Sequence, residues 1–172
     1  MSFNSRVRVL APVFIMVCLL SACGFQLRGA SNLPYETVAV EAFPGSLVVG
    51  ELRRNLRNGT NAKIVTNKEE AVAIINILSE LREKQILTVN RDGRPREYVL
   101  RLRLRYDIRD QKGRPFVLPT DIVQQRDISF NEGAVLAKES EEQLLYRDMQ
   151  SDLVQQLIRR IAVAPAKLQL DE

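Results

Sequence analysis

Tyr98 to Arg109 constrains this chain more than any other stretch. Tyr98, Leu100, Leu102, Leu104, Tyr106 and Ile108 alternate with Val99, Arg101, Arg103, Arg105, Asp107 and Arg109. A period of two over a dozen residues fits a strand with one face on a core and the other in water, and it excludes a helix. Such a strand needs partners on both edges and a cover for its apolar face. The wet face carries Arg101, Arg103 and Arg105 at intervals of about 7 Å.

The flanking segments supply partners. Upstream, Ala71 to Asn90 is the longest β-like reach. Its Val72, Ile74, Ile75, Ile77 and Leu78 read as a central strand covered on both faces. Its more polar half, from Leu81 to Val89, reads as an extension past the core. Asn90-Arg-Asp-Gly-Arg-Pro95 is a turn with Asp92-Gly93 as its hairpin signal. Downstream, Asp110-Gln-Lys-Gly113 turns the chain again. Pro115 and Pro119 place the following segment at an edge, and Asp121 to Phe130 alternates with Ile122, Gln124, Arg126, Ile128 and Phe130 on one side. Thr37 to Phe43 supplies a further strand, ended by Pro44-Gly45.

Two segments are helical. After Ser46, a fair N-cap, Val49, Leu52, Arg53 and Leu56 share one face, and Gly59 ends the run. Near the C-terminus Leu145, Met149, Leu153, Leu157 and Ile161 repeat at four, flanked by Tyr146, Val154 and Ile158. That predicts a core-facing helix of about five turns, opened by a capping-box pattern at Ser140-Glu-Glu-Gln143 and stopped before Pro165. Asn131 to Lys138 reads as a loop or lead-in. The predicted order is β-α-β-β-β-α, an α/β two-layer sandwich with two helices on one face of a four-stranded mixed sheet.

The N-terminus is organised differently. Arg6 and Arg8 precede an apolar run of about a dozen residues, too short for the roughly 20 of a spanning helix. A basic lead, a short apolar run and small residues before a cut site form a secretory signal. The run ends in Leu20-Ser21-Ala22-Cys23, which is similar to a bacterial lipobox. In such signals the thiol of the last residue takes a diacylglycerol and its amine an acyl chain. The expected organisation is a signal peptide over 1–22, a lipidated tether over 23–34, one α/β domain over 35–164 and a short tail over 165–172. Gly24, where inner-membrane lipoproteins of the enterobacterial type carry Asp, fits export to the outer membrane.

Composition excludes several functions. There is no histidine and no tryptophan, and Cys18 and Cys23 are the only cysteines. Cys18 leaves with the signal and Cys23 takes lipid, so the mature domain has no thiol for a disulfide. Metal sites built on His or Cys and His-dependent nucleophiles are ruled out. Loss of Arg6 and Arg8 lowers the net charge from +4 to +2, less excess than a nucleic-acid binder usually keeps. Glu69-Glu70 and Glu141-Glu142 are adjacent pairs, whose side chains do not face each other on a helix. Carboxylate-only chemistry stays open in principle, and no cofactor is expected beyond the acyl chains on Cys23.

Several short blocks point to a family. Cys23-Gly-Phe-Gln-Leu-Arg28 resembles the opening of the LPS-assembly lipoprotein family LptE. So do the turn Asn90-Arg-Asp-Gly93 with Glu97-Tyr98 after it, Leu136-Ala-Lys-Glu139 with Gln143 behind it, and Gln156-Leu-Ile-Arg-Arg160. The resemblance implies a non-catalytic outer-membrane lipoprotein, not an enzyme, that plugs an LptD-type β-barrel, aids its assembly and helps deliver lipopolysaccharide to the outer leaflet. The family's lipopolysaccharide-binding positions would fall on Arg91 and Lys138. Arg94 and Arg96 at the same hairpin tip, and the stripe Arg101, Arg103 and Arg105, are candidates for contact with phosphates or with the barrel lumen. The other reading is an accessory binding lipoprotein of an ABC-type lipid or toxin exporter.

Overall fold

A computed structural model describes residues 31–165. The chain runs β1 (Thr37–Ala42), α1 (Val48–Gly59), β2 (Lys63–Ile64), β3 (Ala73–Val89), β4 (Pro95–Arg109), β5 (Pro115–Ser129) and α2 (Val135–Ala162). Short 3-10 turns at Lys68–Glu70 and Glu132–Ala134 lead into β3 and α2. The strands form one mixed sheet in the order β2-β1-β3-β4-β5. β1 is parallel to both β2 and β3, and the two hairpins β3-β4 and β4-β5 are antiparallel.

The expected α/β sandwich stands, with one correction: the sheet has five strands, not four. The fifth, β2, is two residues long, shorter than any periodic signal. α1 therefore crosses to the outer neighbour of β1, and the 3-10 turn then carries the chain back to β3 on the other side.

Both helices cover the same face. Val48, Leu52 and Leu56 of α1 and Tyr146, Met149, Leu153, Val154, Leu157, Ile158 and Ile161 of α2 share one apolar cluster with Val38, Val40, Ile75, Ile77 and the even-numbered residues of β4 from Leu100 to Ile108. The alternation of β4 is kept as read, since Leu100, Leu102, Leu104, Tyr106 and Ile108 are all buried. In α1 the phase differs slightly from the expected one: Val48 is buried, Val49 half-buried and Arg53 exposed. β3 is not covered on both faces. Val72 and Leu78 are exposed, and on the rear face Ile74 joins only Ala39 and Ala71 in a small second cluster.

α2 is longer than expected. Its 28 residues span about 42 Å, and it starts at Val135. Ser140 therefore lies within the helix, its Oγ donating to the Leu136 carbonyl at 3.0 Å, and it caps nothing. The lead-in is organised instead by Asn131, whose side chain accepts from the Gly133 N–H at 2.9 Å.

The two hairpins close with the same turn. Asn90 and Asp110 each accept, through side-chain oxygen, the N–H groups two and four residues on. Gly93 and Gly113 both take φ +78°, the left-handed conformation glycine adopts most cheaply. The last residues of the expected tether are packed on the domain. Leu33 is buried, and its N–H donates to Asn61 at 2.6 Å. Cys23 and the signal segment lie outside the described residues.

Candidate functional site

Two places hold the expected cations: the tip of the β3-β4 hairpin and the rear face of the sheet. The tip is set by the length of the arm. β3 runs 17 residues, roughly 55 Å at strand rise, and its far half is exposed. A bulge between Ile77 and Ser79 resets its alternation. Before it the odd residues Ile75 and Ile77 face the helices; after it Glu80, Arg82 and Lys84 do.

These polar residues join the helices to the arm. Glu80 accepts from Ser46 Oγ and from the Leu47 N–H at 3.0 Å, which caps α1. Ser46 Oγ in turn accepts from the Val49 N–H at 3.2 Å, as its N-cap reading requires. Arg82 stacks over Tyr146 at 5.0 Å, and Lys84 meets Glu142 at 2.6 Å and lies 4.5 Å over the Tyr98 ring. The Tyr146 hydroxyl donates to the Glu83 carbonyl at 2.8 Å, and burial raises its phenol pKa. The roles of Glu80, Arg82 and Lys84 were not read from the sequence, because the bulge that turns them inward leaves no periodic mark.

At the tip, Arg91 is exposed in the turn. Arg94 is tied down: its Nη1 meets both oxygens of Glu132, at 2.9 and 3.2 Å, in the lead-in to α2. Arg96 is exposed, and its carbonyl accepts from the Phe130 N–H at 2.8 Å. Lys138 was expected in a loop and lies in the first turn of α2 instead. Its ammonium donates to Ser129 Oγ at 2.9 Å and to Glu141 at 2.8 Å, and its side chain is only 22% exposed. It borders a small pocket of about 60 Å³ with Tyr98, Ile128 and Phe130. Hairpin tip and helix start thus share one end of the molecule, joined by the Arg94–Glu132 pair and the Phe130–Arg96 bond.

The rear face is less cationic than the stripe alone suggests. Arg101 stands between Glu83 and Gln125, Arg103 between Leu81 and Val123, and Arg105 between Ser79 and Asp121. Acids on the neighbouring strands offset much of the stripe, although only Arg105 forms an ion pair among the described residues, at 3.9 Å to Asp121. Asp107, expected in water, is fully buried. It accepts from Asn76 Nδ2 at 2.7 Å and from Arg109 through Nε at 2.9 Å and Nη2 at 2.6 Å. Those bonds hold the Arg109 pKa above its ordinary value. The cluster flanks an open cleft of about 820 Å³ at the end of the sheet, lined also by Glu41, Arg53 and Lys68.

No group of three or more metal-ligating side chains occurs among the described residues. No helix among them is long and apolar enough to cross a membrane. The described residues form a sandwich with a projecting cationic hairpin and a mixed rear face.

The family profile of LptE, lipopolysaccharide-assembly, matches residues 35–161, from the start of the first strand to the end of the last helix. The chain belongs to the LptE family. This LptE-family chain is 25% identical over 151 residues to the LPS-assembly lipoprotein LptE of Pectobacterium atrosepticum, covering 86% of this chain and 80% of that one. It is 25% identical over 160 residues to the protein of the same name from Photorhabdus laumondii, covering 91% and 86%. Among solved structures, the solution structure of an uncharacterized lipoprotein B from Nitrosomonas europaea superposes with a TM-score of 0.72 at 38% identity, covering 81% of this chain and 90% of that one. The crystal structure of a minor lipoprotein from Acinetobacter baumannii shares the fold, with a TM-score of 0.64 at 22% identity over 76% and 95% of the two chains.

Proposed function

We propose that this LptE-family chain is a non-catalytic, outer-membrane lipoprotein that plugs an LptD-type β-barrel, aids its assembly and helps pass lipopolysaccharide to the outer leaflet. The observation that carries this reading is the family match across the whole α/β domain, from Tyr35 to Ile161. The domain organisation proposed with it is a signal peptide over 1–22, lipidation at Cys23 and a single domain behind a short tether. More than one acyl chain on Cys23 would give stable anchoring, at about 0.8 kcal/mol per buried CH₂.

Within this reading the hairpin tip handles lipopolysaccharide. Arg91 is exposed with its donors free for phosphate, which guanidinium binds bidentately. Arg96 stands beside it, and Lys138 supports the same end from the base of α2. Arg94 is the weaker candidate, being held by Glu132. The stripe Arg101, Arg103 and Arg105, interleaved with Glu83 and Asp121, suits a protein surface better than a polyanion.

The test is a detergent pull-down of the tagged, mature protein from outer membranes. One heat-modifiable barrel in a 1:1 ratio is expected. Recovery of the lipidated protein without a barrel sinks the plug reading and leaves the anchor untouched.

A further inference from the structure

Arginines take three backbone carbonyls along the two sides of the sheet. On β1 the Val38 carbonyl accepts from the Val65 N–H, so Val40, two residues on, points the same way beyond the end of the short β2. Its carbonyl is taken by Arg53 Nη2 at 2.7 Å. On β5 the Phe130 N–H points inward to β4, so the odd residues before it point outward. Two of their carbonyls are taken: Gln125 by Arg126 Nη1 at 2.9 Å and Asp121 by Arg160 Nη1 at 3.2 Å. Pro115 and Pro119 have no N–H to offer an incoming strand. A partner strand would meet these guanidiniums at Val40, Asp121 and Gln125.

The helix-side face of the sheet is covered by α1 and α2. Among the described residues no element covers the rear face of β3, β4 and β5, and its centre has the make-up of a protein interface. Leu81, Arg103 and Val123 form one row across three strands. Leu81 is 47% and Val123 45% exposed, while the Arg103 Nε between them is buried with no hydrogen-bond partner among the described residues. The rows on either side, Glu83–Arg101–Gln125 and Ser79–Arg105–Asp121, supply a polar rim. An arginine between aliphatic side chains inside a charged rim is the arrangement of an interface centre.

We propose that the chain docks on its protein partner through this rear face and not by strand addition, with Arg103 receiving a carboxylate that the partner presents among aliphatic side chains. This rests on the reading that the partner is the wall of an outer-membrane barrel. Charge complementarity selects the occupant: the centre offers the cation Arg103, and the rim sets Arg101 and Arg105 beside Glu83 and Asp121. A wall of alternating charge fits that layout better than a uniformly anionic lipid layer.

The experiment uses the full lipidated chain co-expressed with its barrel. A photo-crosslinking residue replaces Leu81 or Val123 on the rear face, or Leu47 or Leu144 on the helix side, all exposed apolar positions. Barrel adducts from the rear positions should exceed those from the helix side at least about fivefold. In parallel, Arg103→Met should leave the melting temperature of the isolated domain unchanged or raised while barrel recovery falls about tenfold, as for an interface centre. Barrel adducts mainly from Leu47 and Leu144, or wild-type recovery with Arg103→Met, overturns the rear-face assignment and leaves the plug reading standing. Lipopolysaccharide adducts at Leu81 and Val123 in place of protein also overturn it. A wild-type chain that recovers no barrel removes both readings.

Discussion

Glu80 accepts the Leu47 N–H at 3.0 Å, so an acid in the middle of β3 caps the first helix of the chain. The same carboxylate receives the Ser46 hydroxyl and the Val48 N–H. A carboxylate at a helix N-terminus satisfies free N–H groups and complements the helix dipole. Glu80→Ala should cost about 1–2 kcal/mol of stability. Urea unfolding checks this, with Glu83→Ala as the control on the other face of the same strand. Equal losses in the two variants would remove the cap role.

The Arg94–Glu132 pair joins hairpin tip to helix lead-in, and both side chains are more than half exposed. Exposed pairs contribute about 0–1 kcal/mol. Glu132→Gln should therefore leave global stability within 1 kcal/mol while amide exchange of Arg91 to Arg94 quickens. Hydrogen exchange read by mass spectrometry tests this. A global loss above about 2 kcal/mol would mean that the pair does more than hold the tip.

Tyr35 ties the start of the domain to its end, its hydroxyl donating to the Pro165 carbonyl at 2.8 Å. Burial pushes its phenol up to about 12 from 10.0. The folded value exceeds the unfolded one, so this contribution is fully present below pH 10 and is lost as pH rises from 10 through 12. It amounts to about 3 kcal/mol. Tyr35→Phe loses about 1 kcal/mol at neutral pH through the missing bond. Between pH 10 and 12 its stability should fall less steeply than that of the wild type, and urea midpoints across that range give the comparison.

Leu157 is fully buried on α2, within the cluster shared by both helices and the sheet. Leu157→Ala should cost about 2–5 kcal/mol. Leu144→Ala on the exposed side of the same helix should cost under about 0.5 kcal/mol. Thermal unfolding of the two variants separates core from surface along one helix.

Much of this fold was legible because β4 and the second half of α2 keep strict periods. Leu100 to Ile108 and Met149 to Ile161 bury the residues their spacing predicts. The hairpin turns were legible too, since Gly93 and Gly113 stand where the left-handed residue is needed. What escaped had local causes. β2 has two residues and no period. Ser140 matched a capping pattern inside a helix that began five residues earlier. Arg82 and Lys84 read as part of an extension past the core, and Glu80 had no role assigned, because a one-residue bulge changed which side they face. Asp107 read as wet because alternation gives the face of a residue and not its neighbours. Arg109 and Asn76 enclose it from the same face.

At the proposed lipopolysaccharide site, Arg91 and Lys138 are unequal. Arg91 stands free at the hairpin tip, while Lys138 is engaged by Ser129 and Glu141. A free guanidinium can meet a phosphate at no internal loss, whereas Lys138 must first give up two bonds. Arg91→Glu should therefore weaken lipopolysaccharide binding more than Lys138→Glu does, and leave the circular dichroism spectrum unchanged. Lys138→Glu should in addition destabilise the first turn of α2, because it sets like charges against Glu141 three residues on. Binding titrations of the two single variants and the double variant decide this. Undiminished binding by the double variant would detach the hairpin tip from lipopolysaccharide. A larger loss from Lys138→Glu alone would move the contact to the pocket that Tyr98, Ile128 and Phe130 share with that lysine.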